Sequence, residues 1–103
     1  GLEELGLLEA DVTDAGLVHL VGHTRLKNLQ LRGPAITDVG VPHLAALANL
    51  RELNLLETQV TDHGLQQLEN IQKLRRLHLG GTRVTAAGVQ RFRQACPRVE
   101  VTE

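Results

Sequence analysis

Leu5, Leu29, Leu53 and Leu77 stand 24 residues apart, and so do Leu7, Leu31, Leu55 and Leu79. The same step carries Val12 to Ile36, Val60 and Val84, Thr13 to Thr37, Thr61 and Thr85, and Gly16 to Gly40, Gly64 and Gly88. Five columns held in register over four copies constitute an internal repeat. A period of this size belongs to chains whose unit is one small supersecondary element that buries its apolar side against the next copy. The spacing predicts a single domain over 1–103, with repeats near 2–25, 26–49, 50–73 and 74–95 and a terminal strand over 96–103. That last copy reads as shortened, because Val99 and Val101 follow Leu77 and Leu79 by 22 residues.

Two periodicities alternate within each copy. Arg51-Glu52-Leu53-Asn54-Leu55 alternates polar and apolar residues, the pattern of a strand with one buried face. From Leu65 the apolar residues fall at Leu68 and Ile71, the spacing of a short helix with one apolar stripe. Thr61 stands where a helix N-cap belongs, and Asp62 places a negative charge at the positive end of the helix dipole. Thr13-Asp14 and Thr37-Asp38 predict the same device, whereas the fourth copy has Thr85 followed by Ala86. The recurrent glycine falls at the third helical position, where a poor helix former is expected if a neighbouring backbone comes too close for a side chain. Stacked coils of this kind predict an α/β solenoid with a parallel sheet along one side and helices along the other.

Composition supports many similar aliphatic layers over a few aromatic anchors, since Phe92 is the one aromatic residue and there is no Met, Trp or Tyr. The net charge of -1 gives no reason to expect a nucleic-acid partner. No apolar run is long enough to span a membrane, and the start lacks a charged region leading into an apolar one, so no membrane partner is expected either. A single cysteine, Cys96, excludes an internal disulfide and fits a reducing compartment such as the cytoplasm.

The phrase Leu50-x-x-Leu53-x-Leu55-x-x-Thr58-x-Val60-Thr61-Asp62-x-Gly64-Leu65 resembles a leucine-rich repeat. Its Val-Thr-Asp-x-Gly-Leu segment is similar to the cysteine-containing subclass found in F-box proteins and in many bacterial repeat proteins. The resemblance covers residues 2–101. It implies a right-handed horseshoe with a concave sheet and convex helices, used as a scaffold for binding other proteins. Ala10, Pro34, Thr58 and Thr82 occupy the position that holds Asn or Cys in related repeats. Of these, Thr58 and Thr82 carry a hydroxyl for the turn backbone, so the first two turns are expected to be held less firmly. No F-box segment accompanies the repeats.

The outward residues of the strands are the expected partner-binding face: Glu4 and Leu8; Asn28, Gln30 and Arg32; Glu52, Asn54 and Leu56; and Arg76 and His78. Leu8 and Leu56, with Arg32 between them, are the expected contact anchors. Charge divides along the chain. Residues 1–24 carry Glu3, Glu4, Glu9, Asp11 and Asp14 without Lys or Arg, and residues 74–98 carry Arg75, Arg76, Arg83, Arg91, Arg93 and Arg98 without an acid. The start at Leu2-Glu3-Glu4-Leu5 has no polar helix before it. It is therefore expected to leave Leu2, Leu5, Leu7, Val12, Leu17 and Leu20 with an uncovered edge, as part of a longer array or as a surface for self-association. An alternative to the protein-binding scaffold is thus a spacer or self-assembling segment that makes end-to-end contacts.

No catalytic, metal or cofactor residues are expected. The chain contains no Ser, its glycines recur singly at the structural period, and no pair of acids faces a cleft. His19 and His43 share a helix column one coil apart, but the register places no third ligand beside them. His23 falls in the core column of Leu47 and Ile71, His63 on the surface, and Cys96 in the last core layer.

Overall fold

The computed structural model describes residues 13–20, 22 and 25–103, together with the backbone of 4–7. Five strands, β1 (Glu4–Leu7), β2 (Asn28–Arg32), β3 (Glu52–Leu56), β4 (Arg76–His78) and β5 (Glu100–Thr102), form one sheet in the order of the chain. Every pairing is parallel and steps by one repeat: Glu4 lies beside Asn28, Asn28 beside Glu52, Glu52 beside Arg76, and Arg76 beside Glu100. Leu53 therefore sits between Leu29 and Leu77, and the repeated leucines form a column. Each of the first four strands is followed by a helix: α1 (Asp14–Leu17), α2 (Val41–Ala45), α3 (Asp62–Gln67) and α4 (Ala86–Ala95).

The core lies between these two layers and is written in columns. Leu29, Leu53, Leu77 and Val101 face inward from the strands. Leu17, Val41, Leu65 and Val89 oppose them, with Leu20, Leu44, Leu68 and Phe92 one helical turn further on, and all are buried. Leu47, Ile71 and Cys96 fill the next column. Each buried aliphatic side chain contributes roughly 1.5–3 kcal/mol, but only where the neighbouring coil covers it, so the coils stand together. Leu17 and Leu20, expected to have an uncovered edge, are buried. Leu2, Leu5, Leu7, Val12 and His23 lie outside the described side chains.

At three corners the threonine caps its helix as the sequence predicts, whereas the aspartate acts differently from that expectation. Thr13, Thr61 and Thr85 are N-caps, accepting from the backbone N–H groups of Gly16, His63 and Gly88. The aspartate beside the cap reaches into the following coil. Asp14 accepts from the N–H of Thr37 at 2.8 Å and from its hydroxyl at 2.5 Å. Asp38 does the same to Thr61 at 2.8 and 2.5 Å, and Asp62 to Thr85 at 2.8 and 2.6 Å. Three rungs thus tie four coils together along one edge. The recurrent glycine clears the way for this carboxylate. A Cβ on Gly40 would lie 2.5 Å from Asp14 Oδ1, and one on Gly64 or Gly88 would collide with Asp38 or Asp62. The close neighbour is a side chain, not the backbone expected from the sequence.

Thr37 does not cap α2. That helix begins at Val41 with Gly40 at its N-cap, and the segment before it is a tight turn, with Gly40 N–H donating to Thr37 O at 3.1 Å and Val41 N–H to Asp38 O at 3.3 Å. Pro42 explains the delay, because it has no N–H for the bond to Asp38 O that an α-helix would require.

The expected shortening of the last copy is also corrected, because Val101, not Val99, pairs with Leu77. Of the other helices, α1 and α3 pass early into 3-10 turns, at Val18–Leu20 and Leu68–Asn70, and α2 ends at Ala45, whereas α4 continues for ten residues. Ala, Gln and Arg favour the helix there, while Asn70 bonds the carbonyl of Gln67 and competes with it. Val99 is consequently a connection residue. It donates to Cys96 O at 3.1 Å, as Leu74 does to Ile71 O.

Candidate functional site on the sheet face

Alternation along the strands sends Asn28, Gln30 and Arg32, Glu52, Asn54 and Leu56, and Arg76 and His78 to the solvent side of the sheet, where all are exposed or half-buried. Parallel register sets them in rows: Asn28, Glu52, Arg76 and Glu100 in one, and Gln30, Asn54, His78 and Thr102 in the next. Glu4 begins the first row by its backbone pairing with Asn28, and its side chain lies outside the described residues, as does Leu8.

Several of these groups are held in place. His78 Nε2 lies 3.3 Å from Glu52 Oε2, a diagonal contact between neighbouring strands. Asn54 Oδ1 accepts from Leu56 N–H at 3.1 Å. Arg32 donates through Nε to Glu57 Oε1 at 2.5 Å, and its Nη2 pairs with the same oxygen. Leu56, expected to face solvent, is half-buried because it lies over Gly80, where an added Cβ would stand 3.0 Å from Leu56 Cδ2. Asn28 Oδ1 is buried without a hydrogen-bond partner among the described residues.

Glu57 was missed by the reading of outward strand residues. Its backbone lies at φ 59°, in the left-handed region. Gly33 and Gly81, at φ 125° and 76°, occupy the same position one coil before and one coil after. That column of Gly, Glu and Gly at 24-residue spacing was the available signal. Below the turn, Thr58 and Thr82 hydroxyls donate to Leu55 O at 3.0 Å and Leu79 O at 2.8 Å, as their residue type predicts. Pro34 has no such donor, and Ala10 lies outside the described residues.

A groove of about 380 Å³ runs between α3 and α4 on the opposite side, lined among others by Asp62, His63, Glu69, Arg91 and Phe92. None of the expected contact residues lines it. Burial pushes the Cys96 thiol above its ordinary range, with the Glu69 charge adding and Arg98 opposing. Such a thiol is an inert core residue. Among the described residues no three His, Cys, Asp or Glu side chains gather where they could hold a metal ion, and no helix is long and apolar enough to cross a membrane.

Comparison with known proteins agrees with this geometry. The profile of the family described as Leucine Rich repeat matches residues 70–92. No curated protein matches the sequence. Among solved structures, a leucine-rich-repeat protein of Leptospira interrogans superimposes with a TM-score of 0.65 at 19% identity, over 99% of this chain and 25% of that one. The matched repeat, the parallel register of successive coils, and the shared coil of strand and helix identify the fold as a leucine-rich-repeat solenoid.

Proposed function

We propose that the chain is a protein-binding scaffold whose partner lies across the solvent face of the sheet. The observation that carries this reading is the set of polar side chains fixed on that face by neighbouring strands, with His78 on Glu52 and Arg32 on Glu57. Side chains already held in one arrangement lose less freedom when a partner arrives. Leu56 supplies an apolar contact beside Arg32, whose backbone it pairs with across β2 and β3. Glu4, Leu8, Asn28, Gln30, Asn54 and Arg76 complete the proposed surface. With no Trp or Tyr to act as an anchor, affinity rests on many modest contacts spread over several coils.

The test compares partner capture by wild type with that by Arg32→Ala combined with Leu56→Ala, using Arg83→Ala as a control away from the sheet. The double variant is expected to lose the captured protein while retaining its circular-dichroism spectrum and melting temperature, and the control to keep both. Unchanged capture by the double variant defeats the sheet-face reading. If charge reversal at Glu3 and Glu4, or at Arg75 and Arg76, changes the sedimentation of the protein alone while sheet variants have no effect, the end-to-end spacer is the better account.

A further inference from the structure

Six of the eleven cationic side chains stand in the connections that lead from helix to strand: Arg25, Lys27, Arg51, Lys73, Arg75 and Arg98. All six are exposed. Lys27, Arg51 and Arg75 precede successive strands at 24-residue spacing. Neighbouring strands lie about 4.8 Å apart, so these charges form a ridge across the stacked coils. In the connections 21–27, 45–51, 69–75 and 96–99, Glu69 is the one acid. The opposite edge has the reverse sign, with Asp14, Asp38, Glu57 and Asp62 against Arg83 among its described residues. The division of charge along the chain is therefore accompanied by a second division, across the first three coils.

The ridge is most strongly organised at its far end. Arg75 Nη1 donates to Gln72 O at 3.0 Å and Leu74 O at 2.9 Å, and Arg98 Nε donates to the same Gln72 O at 3.1 Å. Lys73 Nζ is placed nearby in the chain by Asn49 Oδ1 at 2.8 Å. Two guanidinium groups thus share one carbonyl, and neither forms an ion pair among the described residues. Their mutual repulsion is relieved by an anion, and each retains N–H donors beyond those used on the carbonyls. Carboxylates suit the planar fork of arginine.

We infer that this ridge, centred on Lys73, Arg75 and Arg98, is a second interaction surface that takes a carboxylate-rich segment of a protein partner. The rest of the molecule favours that class over other polyanions. A net charge of -1 leaves little long-range field to gather nucleic acid, and the lone aromatic, Phe92, is buried and offers no platform for base stacking. Among the described residues the large exposed apolar side chains are Val18 and Val39, neither on the ridge, so no described apolar anchor for a lipid surface accompanies it. The inference does not depend on the sheet-face reading, since the two surfaces share no residue.

The test uses fluorescence anisotropy of a labelled peptide of alternating Glu and Gly at low ionic strength, where surface charge is least screened. Wild type is expected to bind it, and Lys73→Glu with Arg75→Glu and Arg98→Glu to weaken binding by roughly tenfold or more. An off-ridge triple with the same change of net charge, Arg83→Glu, Arg91→Glu and Arg93→Glu, is expected to stay within about twofold. Because Arg75 and Arg98 also bond backbone carbonyls, Arg51→Gln with Lys73→Gln provides a variant without that liability, expected to lose roughly threefold. No binding by wild type, or equal losses on and off the ridge, overturns the proposal. So does tighter binding of duplex DNA or phosphatidylserine vesicles than of the peptide through the same residues.

Discussion

Asp38 belongs to one coil and satisfies the backbone of the next, so its removal leaves both the N–H and the hydroxyl of Thr61 without their partner. Asp38→Ala is expected to cost about 2 kcal/mol, measured by urea denaturation. At Asp62 the hydroxyl and then the N–H of Thr85 hold the carboxyl below its ordinary range, against a small opposing effect of burial. A folded value below the unfolded one means that the contribution is complete above the usual carboxylate range and disappears as pH falls through the lower, folded value. Melting temperatures of wild type and Asp62→Asn should therefore converge on acidification, and a constant gap at every pH would count against this role. Gly64→Ala pushes a Cβ into Asp38 and should cost about 2 kcal/mol or more, whereas Gly22→Ala, with nothing within 4 Å, should be neutral or stabilise by roughly 0.5 kcal/mol. The Thr-Asp-x-Gly phrase was legible as a corner. Its second role was not, because a column at constant spacing reveals which residues are equivalent and not which coil each one touches.

Elements were legible where the two periods were clean. The alternation around Leu53 and the spacing of Leu65, Leu68 and Ile71 specify β3 and the helical side of its coil directly. The misreadings occurred where one residue overrode the pattern. Pro42 delays α2 by removing a donor, and the run of good helix formers in α4 moves Cys96 and Val99 one place along, so two buried valines at the end imitated a shorter coil. On the outward face, exposure of Leu56 could not be judged from its own strand, since Gly80 in the next coil makes room for it. Phe92 fills the column that Leu44 and Leu68 fill in earlier coils and is 1% exposed. Phe92→Ala should cost about 3–5 kcal/mol in thermal or urea unfolding, more than Leu56→Ala on the half-buried sheet face.

At the scale of the whole molecule, the buried side chains of the described coils form one continuous cluster, and the acids at one edge and the cations at the other give the stack a charged grain across its width. Because Asp14, Asp38 and Asp62 each bond a threonine 23 residues ahead, and each such threonine is followed directly by the next aspartate or by Ala86, the edge fastening is indifferent to how many units it passes through. Excising residues 38–61 would join Thr37 to Asp62, leaving one fastening from Asp14 to Thr37 and another from Asp62 to Thr85. That shorter protein should still fold, with parallel-sheet circular dichroism and a lower melting temperature. Excising one residue fewer, 38–60, puts every following layer out of phase and should abolish the cooperative melt. Length in this molecule is thus quantised, adjustable by whole turns of the coil and intolerant of any fraction.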